Sequence, residues 1–303
     1  MRTRKRNILI TSILSLGLFA STSALAEQSV LPQTPEKKSS VVESAQNHVD
    51  VKATDKAEEK RKKITADAIS AVNETNQALK LLEEKKTEEA LEVLAKITGR
   101  LELIMARDPR LALAPVNVRI TTFDMLSSLD TIKAIIRQAN EYMDDGKIQE
   151  ARPLIDNLAS ELKISTTNIP LATYPEAIKA ITPLIDEGKI DEAKKSLQLV
   201  LNTLVITDEI IPLPVIRAQA ILKSAEALAE NQQRTEKENE TLAQQLVAAR
   251  NQLKIAELLG YGDKKAFKPI YQEIDLIESK TTDSKGAKGW FEKIKQQLLE
   301  LVK

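Results

Sequence analysis

The residues best suited to chemistry in this 303-residue chain are carboxylate pairs at the ends of predicted helices. Two stretches are nearly identical, "DDGKIQEA" from Asp144 to Ala151 and "DEGKIDEA" from Asp186 to Ala193. General acid–base catalysis needs two carboxylates in a cleft that excludes water, with pKa values that differ. Carboxylates at the start of a helix are more often solvated and stabilised by the helix dipole. We therefore expect a structural joint at these stretches and not a catalytic site.

The sequence lacks the residues that other common kinds of site require. It has no Cys and one His, His48. Zinc sites need Cys or several His, and nucleophilic triads need an imidazole. The eight glycines form no phosphate-binding or dinucleotide-binding loop, and the adjacent Asp144 and Asp145 do not follow the calcium-loop spacing. We therefore expect no enzymatic activity, no cofactor and no bound metal.

The first 26 residues predict a cleavable secretory signal peptide. A basic start precedes an apolar run over residues 8–20, and Ala24-Leu25-Ala26 fits a cleavage site. This run is too short for a membrane span, which needs roughly 20 apolar residues. We expect cleavage after Ala26, a periplasmic location and no stable membrane span in the mature chain.

Removal of the signal peptide changes the charge of the chain. The signal holds four of the 44 Lys and Arg residues and none of the 44 Asp and Glu residues, so the mature chain carries a formal net charge of −4. Proteins that bind nucleic acid usually present a basic face. The mildly acidic balance therefore argues against a nucleic-acid partner.

The composition divides the mature chain into three parts. Residues 27–54 are rich in Gln, Ser, Pro and charge without an apolar period, which predicts a disordered tether that includes His48. Residues 55–230 carry apolar residues at helical spacing and predict a helical domain. Residues 231–303 predict an extension with a long helix and an aromatic tail.

The apolar spacing predicts an all-α fold, with no alternating run of the kind that indicates a strand. A stripe at steps of three and four begins at Ile64 and continues to Leu82. The predicted helices cover about residues 55–85, 87–107, 118–144, 148–165, 174–187, 190–207, 213–259, 264–279 and 287–302. Pro183 falls inside one of them and is expected to kink it.

The two similar stretches belong to a threefold internal repeat. Alignment on Ala90, Ala151 and Ala193 superimposes "LLEEKKTEEALEVLAKI", "YMDDGKIQEARPLIDNL" and "LIDEGKIDEAKKSLQLV", and a proline follows each alanine by 19 residues. Gly146 and Gly188 can take the left-handed conformation that ends a helix. Each copy therefore predicts a helix–turn–helix joint whose second helix ends at the proline, which is Pro109, Pro170 or Pro212.

The heptad-like spacing from Ala218 to Ala256 predicts one helix of some 45 residues, interrupted by polar residues in the middle of its stripe. Such a helix would be about 68 Å long. We expect its C-terminal half to form a coiled coil, either with a partner chain or folded back on residues 264–302. The first alternative predicts a homo-oligomer.

Aromatic residues make up 3% of the chain and are concentrated near its C terminus. The candidate binding surface consists of Trp290, Phe291, Tyr261, Phe267 and Tyr271. Exposed aromatic clusters often carry binding energy. The alternatives are a packing cluster that docks the tail, and an amphipathic helix from Trp290 to Val302 that lies on a membrane.

The run from Ala139 to Pro214 resembles the YfdX family of enterobacterial periplasmic proteins, with its two "GKI" joints, and the first repeat copy matches that family's own first joint. The resemblance covers about Lys60 to Leu228, and the C-terminal part resembles larger members found beside heat-shock genes in stress-tolerance islands. It implies an all-helical exported protein linked to acid, heat and envelope stress. The family has no established catalytic residues, so none is transferred to this chain.

Two functional hypotheses follow. The first is a non-enzymatic periplasmic stress-response protein that protects unfolded or partner proteins of the envelope, as a chaperone does, under heat or acid. The alternative is a sensor or carrier of a small molecule, held in an apolar pocket between helix pairs near Pro183.

Overall fold

Helical and strand segments alternate along the part of the chain that the computed structural model describes, residues 40–64, 66–125, 127–281, 289 and 291–301. The signal peptide, residues 27–39 of the predicted tether and Trp290 lie outside the described residues. The elements are α1 (Ser40–Ser44), α2 (Gln46–Lys62), α3 (Ala66–Glu83), α4 (Thr87–Arg107), β1 (Leu113–Phe123), α5 (Leu129–Asp144), α6 (Ile148–Asp156), β2 (Glu161–Pro170), α7 (Tyr174–Lys179), α8 (Thr182–Asp186), α9 (Ile190–Leu201), β3 (Val205–Pro212), α10 (Leu213–Glu230), α11 (Glu236–Leu258), α12 (Lys264–Thr281) and α13 (Glu292–Glu300).

The structure is mostly helical, which confirms the predicted fold class, but it also contains a small sheet that the sequence analysis missed. Strands β1, β2 and β3 occupy parts of the helices predicted over residues 118–144, 148–165 and 190–207. The prediction was wrong there because β2 in fact alternates, with Leu162, Ile164, Thr166 and Asn168 buried at every second position. The strands are also rich in β-branched residues, which favour extended geometry.

The sheet has the order β1-β2-β3, with both pairs antiparallel. Its inner face packs on α2 and α10 through a cluster that includes Val49, Ile164 and Ile216. The strand β1 carries an irregularity between Pro115 and Asn117. Because β2 is central, β1 and β3 are the two edges of the sheet.

Each repeat copy therefore consists of two helices followed by a strand. Pro109 follows the end of α4, as predicted, but Pro170 and Pro212 are the last residues of β2 and β3 and do not end helices. A proline fits this place because it has no N–H to donate to the next rung of a sheet. Pro183 lies at the first turn of α8, after a break that separates α7 from α8, so the predicted disruption of that helix is confirmed.

The three predicted joints share one backbone geometry. Gly146 and Gly188 have φ values of 72° and 73°, and Lys85 occupies the equivalent place in the first copy with φ 61°. In each joint the following lysine donates its N–H to the carbonyl five residues earlier, as in a Schellman motif. These bonds join Lys86 to Leu81 (2.9 Å), Lys147 to Tyr142 (2.7 Å) and Lys189 to Leu184 (2.8 Å). The aligned alanines, Ala90, Ala151 and Ala193, are all buried, which lets the helices approach closely.

The first and third copies pack against each other. Helix α3 contacts α9, and α4 contacts α7 and α8. Their apolar side chains form one core cluster, in which Tyr174 and Thr75 share a buried hydroxyl hydrogen bond of 2.9 Å. The stripe predicted to begin at Ile64 is buried from Ala68 to Leu82.

The predicted single helix over residues 213–259 is wrong, because it is two helices that fold back on each other. Helix α10 ends at Glu230, and Thr235 begins α11 with a capping box that involves Glu238. Arg234 donates to the carbonyl oxygens of Ala229 (2.8 Å) and Asn231 (2.8 Å), which satisfies the end of α10. The polar interruption in the stripe is therefore the turn, and the two apolar halves face each other in one core cluster together with α12 and α13.

Residues 40–54 of the predicted tether are helical, which corrects that prediction for this segment. Helix α1 contacts α10 and α11, and Val49 of α2 is buried against the inner face of the sheet. The side chain of Lys52 donates to Gln219 of α10 at 3.1 Å. A few apolar residues at helical spacing stabilise these helices because they pack on the surface that α10 and the sheet form.

We find no helix among the described residues with the length and apolar character that crossing a membrane requires.

Candidate binding surface

The carboxylates of the joints are solvated and paired with lysines. Asp145 lies 2.8 Å from the amino group of Lys147, and Glu187 lies 2.7 Å from that of Lys189. A hydrogen bond from Lys194, with its positive charge, lowers the pKa of Asp191. Within the described ranges, no group of three or more His, Cys, Asp or Glu is arranged to hold a metal ion. The geometry of the joints is that of helix ends and not of a ligand loop.

A depression of about 470 Å³ lies where the first and third joints meet. Its lining includes Leu82 and Ile190, but most of it is charged or polar, with Lys85, Asp191 and Lys194 among the contributing residues. Pockets for small molecules are lined predominantly by apolar side chains. The depression therefore lacks the character of the apolar pocket expected near Pro183.

The single histidine lies on an exposed position of α2. Partial burial, followed by repulsion from Lys52 and Lys223, lowers the pKa of His48. Both effects favour the neutral form of the imidazole.

Among the described residues of the candidate surface, the two phenylalanines lie in the interior. Phe267 and Phe291 are buried in the cluster formed by α10 to α13, and Phe267 stacks on Tyr271 with ring centroids 6.2 Å apart. Tyr261 and Tyr271 are half-buried. The described arrangement favours the packing role that the sequence left as an alternative, and binding by these residues stays a prediction.

The hydroxyls of both tyrosines are engaged. Tyr271 donates to Glu257 at 2.8 Å, and burial with this hydrogen bond raises the pKa of Tyr271 well above its ordinary range. Tyr261 donates to Glu161 at 2.7 Å and accepts the N–H of Ser160 at 2.9 Å. Tyr261 thus ties the C-terminal helices to the start of β2.

A buried charged pair lies beside this contact. The guanidinium of Arg217 on α10 is 3% exposed and donates to both carboxylate oxygens of Asp124, at 3.0 and 2.7 Å. It also donates to Gln46 of α2 at 3.0 Å, and Ser160 donates to Asp124 at 3.3 Å. The pair therefore links the N-terminal helix, the end of β1 and α10, which is a structural role.

The edge strand β3 is the surface with the clearest capacity to bind another chain. It pairs with β2 on one side, and no other described strand pairs with its second side. Ile206 and Ile210 are 65% and 39% exposed and alternate with Asp208 on the face opposite to the core. An open strand edge with apolar side chains is a template for an added strand.

The acidic residues of β3 are neutralised by neighbouring lysines. Asp208 lies 2.8 Å from Lys163 and accepts a hydrogen bond from Ser165, and these contacts lower its pKa. Glu209 lies 2.7 Å from Lys60 of α2. Charged side chains on an edge strand usually deter pairing with another chain. Their neutralisation leaves the two isoleucines as the dominant feature of this edge.

The other edge of the sheet is better protected. The strand β1 contains Pro115, which cannot donate to a ladder, and its pairing is irregular at Pro115–Asn117. It also exposes Arg119. Proline, bulges and charge are the features that keep an edge from extending.

Sequence reasoning missed the β3 surface because it assigned the start of the strand, up to residue 207, to a helix and left residues 208–212 as the connection to the next helix. The sequence signal that could have indicated this strand is the run "VITDEII", which is rich in β-branched residues and is followed by Pro212. Even with the strand recognised, its position at the edge depends on the order of the strands in the sheet.

The family model described as YfdX protein matches residues 71–210. A solved structure of Salmonella Typhi YfdX is 17% identical, with a TM-score of 0.34, over 50% of this chain and 93% of that chain. No curated protein matches the chain significantly.

Proposed function

Because the chain belongs to the YfdX family through residues 71–210, we propose that it is a non-enzymatic stress-response protein of the periplasm, which holds partly unfolded envelope proteins under heat or acid. The observation that carries this proposal is the open edge of β3 with its exposed isoleucines. We assign the client to the class of extended, unfolded polypeptides.

The physical argument rests on what an unfolded chain offers. Its backbone N–H and C=O groups are free to pair, and its apolar side chains are exposed. Addition to β3 would satisfy main-chain hydrogen bonds whatever the client sequence, while Ile206 and Ile210 would contact alternate side chains of the client. Such binding is broad in specificity and weak at each site, as protection of many clients requires.

The test is suppression of the thermal aggregation of a periplasmic client, measured by light scattering with the protein at stoichiometric amounts. The variant I206K/I210K places two positive charges on the edge, and we expect it to lose most of the suppression. The matched control is L103K on α4, where a leucine of similar exposure (55%) is replaced away from the sheet.

Three outcomes have distinct meanings. Suppression that the control retains and I206K/I210K loses supports the proposal. Equal suppression by all three proteins argues against β3 as the surface, and no suppression by the unchanged protein argues against the holding function itself. Circular dichroism at the assay temperature establishes that each variant is folded.

The depression between the first and third joints is lined mostly by charged and polar residues and does not support the small-molecule alternative, which stays a prediction from the sequence. A genuine ligand would raise the melting temperature with its concentration.

A further inference from the structure

The second repeat copy exposes apolar positions that the other two copies bury. Met143 of α5 is 44% exposed and Ile155 of α6 is 43% exposed. Alignment on the buried alanines gives their counterparts, Leu82 and Leu94 in the first copy and Ile185 and Leu197 in the third, which are all at most 4% exposed. The same positions of one repeat thus have different surroundings in the three copies.

The difference arises from how the copies pair. The first and third copies cover each other's apolar faces in one core cluster, to which none of the helical residues of the second copy belongs. Helix α6 makes its main contacts with α5, and α5 adds contacts with α11. The second copy therefore has no fourth repeat to pack against within the described part of its own chain.

The exposed positions share one face of the α5–α6 hairpin. Ile148, at the start of α6, is 65% exposed, whereas its counterpart Ile190 packs on the core of the first and third copies. Met143 and Ile155 align with members of that same core. Because the backbone of the three joints is the same, the three side chains point to the side from which another repeat would approach.

The charges along α5 can be complementary between two copies of the helix. Asp130 and Lys133 lie near its start, Arg137 lies at its middle, and Glu141 and Asp144 lie in its last turn. A two-fold axis across the hairpin would bring the acidic end of one α5 onto the basic part of the other.

We propose that the α5–α6 hairpin is a self-association surface, on which the second repeats of two copies of this chain pack face to face as the first and third repeats pack within one chain. We assign a second copy as the partner because, in the first and third repeats, the same apolar positions are covered by another repeat of this chain. The interface is isologous, with Met143, Ile148 and Ile155 at its centre.

The size of the face sets the strength of the association. Helix α5 has 16 residues and α6 has nine, so they are about 24 Å and about 14 Å long, and each is about 10 Å wide. The dimer would bury about 400 Å² of each chain, which is the size of a weak, transient interface. We therefore expect a dissociation constant in the micromolar range and a strong dependence on concentration.

The experiment is sedimentation velocity of the purified protein from about 1 to 100 µM, compared with the variant I155K and with the control L103K. We expect the unchanged protein and L103K to dimerise, and I155K to show roughly a tenfold higher dissociation constant or more. Ile155 is exposed in the single chain, so I155K is expected to keep its melting temperature and its circular dichroism. A charge exchange, R137E/D144R, is expected to associate better than R137E alone.

Each contrary result has a definite meaning. A protein that stays monomeric up to the highest concentration overturns the proposal, as does a dimer that I155K leaves unchanged. If the protein is monomeric and I155K reduces suppression of client aggregation, the occupant is a client and not a second copy. The readout is the assembly state, so the result is independent of the assay that tests β3.

Discussion

Lys85 is the residue whose replacement tests the repeat most directly. It is the only non-glycine with positive φ in the described part of the chain, and it stands where the other two joints have Gly146 and Gly188. A residue with a Cβ in the left-handed region costs about 1–2 kcal/mol. Glycine avoids this cost but loses about 0.5–1 kcal/mol through its greater freedom in the unfolded chain. We therefore expect K85G to raise the free energy of unfolding by about 0.5–1 kcal/mol.

The measurement is urea unfolding followed by circular dichroism, supported by a thermal scan in which the expected rise of the melting temperature is about 1–3 °C. K85A is the matched control, since it removes the same charge and side chain but keeps the Cβ, and we expect no gain from it. G188A should lose about 1 kcal/mol. Beyond the residue itself and its two chain neighbours, no atom lies within 4 Å of the Cβ it would add, so that loss reflects the backbone alone. If K85G were no more stable than K85A, the strain we assign to this joint would be absent.

Two further predictions concern buried groups. D124N leaves the guanidinium of Arg217 buried without its carboxylate, and we expect the free energy of unfolding to fall by about 3 kcal/mol in chemical unfolding. The apolar double variant D124L/R217M should cost less than the sum of its two single variants. Strict additivity would contradict an energetic coupling between Asp124 and Arg217. Because burial raises the pKa of Tyr271 above its unfolded value near 10, the folded state retains the proton, and the contribution of Tyr271 to stability should be constant below pH 10 and fall as the pH rises further. Y271F should lose about 1 kcal/mol at pH 7 with the hydrogen bond to Glu257 but decline less steeply above pH 10; an unchanged slope would show that this hydroxyl does not titrate with unfolding.

The helical part of the fold could be predicted because it is encoded locally. Helix α4 has the predicted bounds, and the three joints lie where their glycines, acids and small residues indicated. Those signals concern residues within a few positions of one another, so they act before any distant part of the chain is in place. The capping box at Thr235 was an equally local signal of a helix start, and it would have divided the predicted long helix.

The strands could not be assigned in the same way. Residues 118–123 of β1 and 205–207 of β3 were assigned to helices and the rest of both strands to connections. Their extended form is stabilised by pairing with β2, which is distant in sequence. The propensity for strand depends on such pairing and on burial more than that for helix does. The helical state of residues 40–54 likewise depends on α10 and the sheet, against which they pack.

The location of the candidate surfaces also required the tertiary structure. The isoleucines of β3 are exposed because their strand is at the edge, and nothing in their local sequence states that position. The aromatic residues of the C-terminal part were conspicuous in the sequence, yet Phe267 and Phe291 are in the core. A residue type indicates what a side chain can do, whereas its burial depends on which elements come to lie beside it.

The sequence by itself determined the mostly helical class, the three repeated joints and the resemblance to the YfdX family, since each depends on short-range spacing. Only the tertiary structure decided that the first and third repeats cover each other while the second remains exposed. The physical reason is that the repeats cover their apolar faces in pairs, so one of three copies has no partner within its own chain. The exposed face of the α5–α6 hairpin is the consequence, although its own eight-residue stretch, "DDGKIQEA", is nearly the same as that of a buried repeat.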